Sequence, residues 1–384
     1  MAVFTFSIPQ HIVFGQGMLE KLPELAERIG GKKAFIISGP HLSKIGLVEK
    51  CMEALKTAGI LCAAFTDTEG NPSTDTVDKA MKGFQESGAD FIVAFGGGSP
   101  LDVAKAVATV GTYGGQITDY EGVGKVPGPV IPMIAIPTTA GTGSEVTAFS
   151  VITDHSRNYK LTVGSNYLLP QYAILDPKLL TSVPMKIAAA CGIDAMVHAL
   201  EAYLSLAASP FSDMMALKAL ELIGGNLRAY IANRGNMDAA EAMLQGSLFA
   251  GIAFSHARLG DVHAMSHPVS AYFDVPHGLA NAILLPTIVT YNELADQGKY
   301  YDIYYCIATC PVSRHLFTPH MLTEEILTLN RDLGIPGSLS EVGVKEEFFE
   351  MMAEDAMKSG NIAVNPRSTT KEDILKLYKK AYRG

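Results

Sequence analysis

In the first half of the chain, short apolar runs alternate with amphipathic stretches. Runs at 33–38 (KAFIIS), 61–65 (LCAAF), 90–95 (DFIVAF) and 132–137 (PMIAIP) each end in a turn or loop rich in glycine, proline or hydroxyl side chains, the pattern of buried strands. Between them, 42–58 and 75–87 carry apolar residues at helical spacing. This alternation predicts βα units and a mostly parallel sheet. Beyond about residue 184 strand-like runs almost vanish, and 193–204, 212–231, 239–256 and 324–333 show helical periodicity instead. The expectation is an α/β domain over 1–182 and an all-α domain over 183–384, with the active site in the cleft between them.

Composition narrows the function classes. A chain of 384 residues outgrows a single core, and 48% hydrophobic against 18% charged residues leaves no need for disorder. The net charge of -9 repels polyanions, which argues against nucleic acid and anionic membranes and favours small-molecule substrates. The opening MAVFTFSIPQHIVFG has no signal-peptide pattern, and no apolar run reaches the ~18 residues of a membrane span, so a cytoplasmic location is expected. Cys51, Cys62, Cys191, Cys306 and Cys310 are odd in number, with CxxxC as the tightest spacing, and read as reduced thiols.

Two glycine-bearing loops follow strands. In Gly96-Gly97-Gly98-Ser99-Pro100-Leu101-Asp102 the bare backbone lets N–H groups approach an oxyanion, with Ser99 expected as the helix cap, Pro100 in the first turn and Asp102 closing an S-x-x-D box. The stretch 137–145 (PTTAGTGSE) adds three threonine hydroxyls at a neighbouring strand end. Either loop alone reads equally well as a tight turn. Together, at the carboxyl ends of parallel strands, they point to a dinucleotide, NAD(H) or NADP(H), without the usual GxGxxG fingerprint.

Asp194 and His198 stand four apart, as do His263 and His267, so each pair shares a helix face, and His277 follows in a loop after Pro276. Three neutral imidazoles and a carboxylate suit Fe(II) or Zn(II) and not Ca(II) or Mg(II), which prefer all-oxygen shells.

Taken in order, the 96–102 turn with Lys105, the 137–145 loop, Gly192-Ile193-Asp194 through His198, the 260–267 stretch, Pro276-His277-Gly278 and the terminal Asn365-Pro366-Arg367 resemble the iron-containing (group III) alcohol dehydrogenases over essentially the whole chain. The resemblance implies a Rossmann-like first domain, a homodimer or larger assembly, and an NAD(P)-dependent alcohol dehydrogenase working as an aldehyde reductase. It maps one divalent metal onto Asp194, His198, His263 and His277, and a proton relay onto His267. Thr138, Thr139, Thr142, Phe149, Lys160 and Leu179 fall around cofactor and substrate, with Phe254 and Leu259 as pocket walls or simple core residues.

Four positions, in two places, depart from the family pattern. Gly39 stands where many relatives carry an aspartate, leaving room for a 2′-phosphate near Ser38, His41 and Lys44. At 256, 258 and 261, His256, Arg258 and Asp261 replace the usual Asn, Gly and apolar residue. Arg258 thereby becomes a candidate for binding an anionic aldehyde, such as a carboxylate or sulfonate, or else half of an ordinary surface pair with Asp261. The competing expectations are a dehydroquinate-synthase-like lyase, disfavoured by few Lys and Arg near the histidines, and a non-enzymatic binding protein, disfavoured by the intact ligand set.

Overall fold

Strands whose side chains are apolar on both faces need cover on both faces, and that requirement organises the first part of the molecule. The computed structural model describes residues 4–384. Its strands are β1 (His11–Phe14), β2 (Lys33–Ile37), β3 (Leu61–Phe65), β4 (Phe91–Gly96), β5 (Gly122–Val123), β6 (Met133–Pro137), β7 (Phe149–Asp154), β8 (Tyr159–Gly164) and β9 (Tyr172–Leu175). Six form a parallel sheet in the order β1-β9-β6-β4-β2-β3, and β5-β8-β7 form a small second sheet. The central β4 and β6 are buried along their whole length.

Side chains alternate across the large sheet with a period of two. Ala34, Ile36, Val93, Phe95 and Ile136 pack with Leu22, Leu25, Val48 and Leu55 of helices α1 (Leu22–Arg28) and α3 (Leu47–Thr57). Phe35, Ile37, Ile92, Ala94 and Ala135 pack on the other face with Val77, Ala80, Val103 and Val107 of α4 (Thr74–Ser87) and α5 (Gly98–Tyr113).

Three local expectations need correction. The helix expected over 42–58 is broken into α2 (Pro40–Lys44) and α3, because Gly46 at φ +79° turns the chain into the left-handed region. Ser99 is not the cap of α5; Gly97 is, and Ser99 and Pro100 lie inside the helix. The chain enters the helix early because Pro100 packs on Gly96, where an added Cβ would sit 2.7 Å from Pro100 Cγ. Asp102 therefore closes no capping box, and instead accepts from Ser144 Oγ (2.6 Å) and from the Val151 amide (3.1 Å). Strands β1 and β9 of the large sheet and β5, β7 and β8 of the second sheet do not stand out in the sequence pattern.

The remaining helices are α6 (Met185–Leu204), α7 (Pro210–Ala232), α8 (Met237–Ala257), α9 (Asp261–Phe273), α10 (His277–Asn292), α11 (Lys299–Ile307), α12 (Pro319–Asp332), α13 (Phe349–Lys358) and α14 (Lys371–Arg383). Glycines bring the first three close: a Cβ at Gly192 of α6 would strike Leu227 of α7, and one at Gly246 of α8 would lie 2.6 Å from Ile223 of α7. Helix α6 has the length and composition of a membrane span, with a mean hydropathy of 1.3 in its most apolar window, but 83% of that window is buried inside the protein, as in a core helix. Backbone contacts divide the chain into two compact units. One comprises Ile8–Thr139 and Gly143–Val183, the other Ala140–Thr142 and Pro184–Gly384 with the N-terminal residues up to Ser7. No disulfide joins the cysteines of the described residues.

In the α/β unit a buried ammonium ties α5 to the strand-connecting segment 144–149. Lys105 Nζ donates to the carbonyls of Ser144 (2.7 Å), Thr147 (2.9 Å) and Phe149 (2.7 Å) and to Ser144 Oγ (2.9 Å). Burial pushes it down to about 8, opposed by the nearby charges of Asp102 and Glu145. Lys105→Met keeps the volume of the stem but leaves those acceptors and Asp102 without their cation. We expect a loss of about 3–5 kcal/mol of stability in chemical denaturation. A loss under about 1 kcal/mol would show that the ammonium is not a strut.

Candidate metal centre and cofactor loops

Helix α6 sets Asp194, His198 and Glu201 on one face, at i, i+4 and i+7. Helix α9 presents His263 and His267 one turn apart. His277 is not in a loop, as the sequence suggested, but is the first residue of α10. Gly278 explains how that helix start reaches α6, since a Cβ there would lie 2.5 Å from the Ala190 carbonyl oxygen and 3.2 Å from Asp194 Cβ.

The result is a convergence of lone pairs. Asp194 Oδ1 stands 4.0 Å from His198 Nε2, 3.8 Å from His263 Nε2 and 3.9 Å from His277 Nε2. These separations are too long for hydrogen bonds, and slightly exceed the ~3.3–3.6 Å edge of a tetrahedral shell with bonds of ~2.0–2.2 Å. Donor atoms of Asp194, His263 and His277 all lie within 4.8 Å of one another. His198 flanks this trio, its ring stacked on that of His263 at 4.6 Å. Asp194, His198 and His263 are buried, and His277 is half-buried.

The outer ring nitrogens face acceptors, His263 Nδ1 the Glu201 carboxylate (2.5 Å) and His198 Nδ1 the Gly141 carbonyl (3.3 Å). Burial, reinforced by His198 and opposed by Asp194, pushes His263 down to about 3, so its imidazole is neutral near pH 7. One turn beyond His277, the buried Asn281 points its Nδ2 at Asp194 Oδ1 (2.6 Å), His263 Nε2 (3.1 Å) and His277 Nε2 (3.2 Å). Three acceptors around one two-proton donor are an arrangement a cation satisfies better, and a carboxylate with neutral imidazoles fits a first-row divalent metal. Glu201 and Asn281 were not singled out from sequence. Their only signal is that each continues the helical spacing of a ligand, from Asp194 and from His277.

His267 is half-buried, its ring 5.3 Å from that of His277 and 6.3 Å from that of His263. Phe254 stacks on His198 at 4.4 Å, and Leu259 is buried. Arg258 is exposed at the end of α8 with φ +63° and ψ -169°, its guanidinium against Gly360. It makes no surface pair with Asp261, which is fully buried and accepts from Thr369 Oγ1 at 2.5 Å.

In the α/β unit the two glycine-bearing loops touch. The Thr138 amide donates to the Gly96 carbonyl (2.9 Å), and a Cβ at Gly97 would stand 3.3 Å from Thr139 Oγ1. Gly97, Gly98 and Ser99 are half-buried at the N-terminus of α5, where backbone N–H groups have no helical acceptor. Ser38 Oγ and Thr68 Oγ1, just beyond the ends of β2 and β3, are buried without a hydrogen-bond partner among the described residues, which suits a polar ligand there. Gly39 sits beside them, its position 3.3 Å from the Thr68 carbonyl for an added Cβ. Lys160 Nζ donates to Asn71 Oδ1 (2.7 Å), Phe149 opens β7, and Leu179 lies in the apolar core with Leu19 and Ile174. Thr142 falls in the short stretch that groups with the helical unit.

Known proteins of this architecture were found along the full chain. Residues 9–177 match the model described as iron-containing alcohol dehydrogenase, and residues 188–382 match that of the Fe-containing alcohol dehydrogenase family, C-terminal. The 1,3-propanediol dehydrogenase of Klebsiella pneumoniae is 38% identical over 99% of both chains. The crystal structure of 1,3-propanediol oxidoreductase superposes with a TM-score of 0.94 at 37% identity, covering 99% of this chain and 100% of that one. Sulfoacetaldehyde reductase from Bifidobacterium kashiwanohense, solved in complex with NAD+, gives 0.88 at 28% identity, covering 99% of each chain.

Removing one ligand from this set leaves an incomplete shell around a buried charge. Asp194→Ala and His263→Ala are each expected to abolish stoichiometric metal uptake and to lower turnover by more than 100-fold. Metal analysis of reconstituted, desalted protein checks this, and full activity of either variant after exhaustive chelation would refute it.

Proposed function

From the premise that this chain belongs to the iron-containing alcohol dehydrogenase family, and so is a metal-dependent alcohol dehydrogenase using a nicotinamide cofactor, we propose that it works as a cytoplasmic reductase of short-chain aldehydes. The observation that carries this is the convergence of Asp194 Oδ1 with three imidazole Nε2 atoms. Asp194, His198, His263 and His277 would hold the ion, which supplies a Lewis acid for the carbonyl oxygen while the nicotinamide supplies hydride.

The chain's own residues do the rest. Residues 1–182 serve as the dinucleotide domain and 183–384 as the metal-binding domain. Backbone N–H groups of Gly96, Gly97, Gly98 and Ser99 and the hydroxyls of Thr138, Thr139 and Thr142 bind the cofactor's phosphates and orient it. Asp102 and Lys105 act from behind, holding the second loop in place through Ser144. Phe254 covers the face of His198 and keeps water from it. His267 delivers a proton toward the reduced oxygen from a half-buried imidazole beside His277.

Two finer readings concern cofactor and substrate. Gly39 offers no carboxylate against a 2′-phosphate, and the partnerless hydroxyls of Ser38 and Thr68 lie next to it, which supports use of NADPH as well as NADH. An anionic aldehyde is supported by likeness to a sulfoacetaldehyde reductase and by the backbone of Arg258. At φ +63° and ψ -169° it occupies a region nearly reserved for glycine, at a cost of about 1–3 kcal/mol, so an arginine there is retained against local stability.

On metal-reconstituted protein, kcat/KM for NADPH should lie within about tenfold of that for NADH, and Gly39→Asp should lower the NADPH value at least tenfold. Strict NADH use by the natural chain would overturn the cofactor reading. Arg258→Gly should raise the thermal midpoint while lowering kcat/KM about tenfold or more on a sulfonate- or carboxylate-bearing aldehyde, sparing a neutral one of equal length. Equal effects on both aldehydes would remove the anionic substrate from consideration.

A further inference from the structure

We propose that Glu201 is a positioning residue whose carboxyl group fixes the ring of His263, fastens the start of the helix that carries it, and thereby sets the metal affinity of the site. This rests on the metal centre proposed above. Glu201 is buried on the same face of α6 as Asp194 and His198. Its Oε2 lies 2.5 Å from His263 Nδ1, and its Oε1 accepts from the Val262 amide at 2.7 Å. Backbone amides of Gly260 and His263 also face the carboxylate. One buried side chain from another helix thus gathers the first-turn N–H groups of α9, whose own N-cap, Gly260, has no side chain to do so.

Two consequences follow from this one contact. The first is the tautomer. With Glu201 as acceptor in this contact, Nδ1 carries the ring proton and Nε2 keeps the lone pair that faces Asp194 Oδ1 at 3.8 Å and the Asn281 amide at 3.1 Å. A ring with its proton on Nε2 cannot bind a metal through that atom. The second is charge. A divalent ion bound here would set positive charge beside two buried carboxyl groups, Asp194 and Glu201.

The seat for Glu201 is made by a glycine and by the tail of the chain. A Cβ at Gly260 would lie 2.9 Å from Glu201 Oε1 and 3.0 Å from Asn365 Oδ1. Asn365 in turn accepts from the Asp261 amide at 3.3 Å and exchanges side-chain hydrogen bonds with Asn292 at 3.1 and 2.9 Å. The Asn365-Pro366-Arg367 segment, to which no chemistry had been assigned, thus supports the same helix start.

The test is titration of Co2+ into metal-free full-length protein, with a chelator as competitor and the visible Co2+ absorption as a second signal. Glu201→Gln keeps volume and can still accept from Val262, so the metal-free thermal midpoint should stay within a few degrees of wild type. Its Co2+ affinity should fall about 10- to 100-fold with a changed absorption band. Glu201→Asp, which keeps a carboxyl group, should recover part of that loss, and Gly260→Ala should weaken binding by displacing an unaltered side chain. Wild-type affinity in Glu201→Gln would overturn the proposal, as would equal losses in the Gln and Asp variants. Independently of any variant, nitrogen-15 NMR of the metal-free wild type should find the proton of His263 on Nδ1, and a proton on Nε2 would overturn it as well. Failure of the wild type itself to take up Co2+ would instead refute the metal centre, which keeps the two readings separable.

Discussion

Asp194 Oδ1 stands about 4 Å from each of three imidazole nitrogens in an apolar bundle, and these lone pairs repel one another unless positive charge stands among them. That constraint shapes the helical unit. Asp194 and His198 come from one helix, His263 from a second and His277 from the first turn of a third, so none can be placed without fixing the others. The bare backbone of Gly278 lets α10 press against α6, and that of Gly260 leaves room for the Glu201 carboxylate. Amide protons of Asn281 supply part of the needed positive charge. A divalent ion supplies more, and the family to which the chain belongs carries one.

The glycine-rich turn of the α/β unit shows the opposite arrangement. Its backbone carries no side chains at Gly97 and Gly98, and the charge nearby is turned inward. Lys105 illustrates the division. A lysine a few residues past a glycine-rich turn looks like a phosphate ligand, yet its ammonium is buried among carbonyls of 144, 147 and 149. Its work is to make the second loop a fixed neighbour of the first, and the contact of Gly97 with Thr139 is where the two meet.

The contrast between buried and half-exposed elements explains what could be read from sequence. Strands β2, β4 and β6 are apolar on both faces and stand out as continuous runs, whereas β7 and β8 mix buried with partly exposed positions and β1 has no buried position, so that signal is lost. Ser99 fitted every local rule for a helix cap, but the contact of Pro100 with Gly96 is a packing constraint that no capping rule contains. The pairs Asp194/His198 and His263/His267 were legible because four-residue spacing is itself geometry. Glu201 and Asn281 were not, since one more acid and one more amide on long apolar helices carry no periodic mark. Their meaning depends on which helix lies opposite.

The same dependence decides the fate of the three polar residues between 256 and 261. All lie within seven residues of His263, and in sequence they look like one polar cluster beside the site. In the structure each goes its own way. His256 turns to the N-terminal segment, bonding the Ser7 carbonyl at 3.1 Å and packing on Phe6 at 4.4 Å. Asp261 is buried against the C-terminal segment through Thr369, and burial pushes its carboxyl up to about 7. Both serve joints of the scaffold. Arg258 alone keeps a permanent charge in solvent, and it does so from a backbone conformation that favours glycine. Among the described residues no carboxylate offsets the cost of that conformation, so the Arg258 guanidinium stays in solvent while the side chains of its two neighbours are turned into the scaffold.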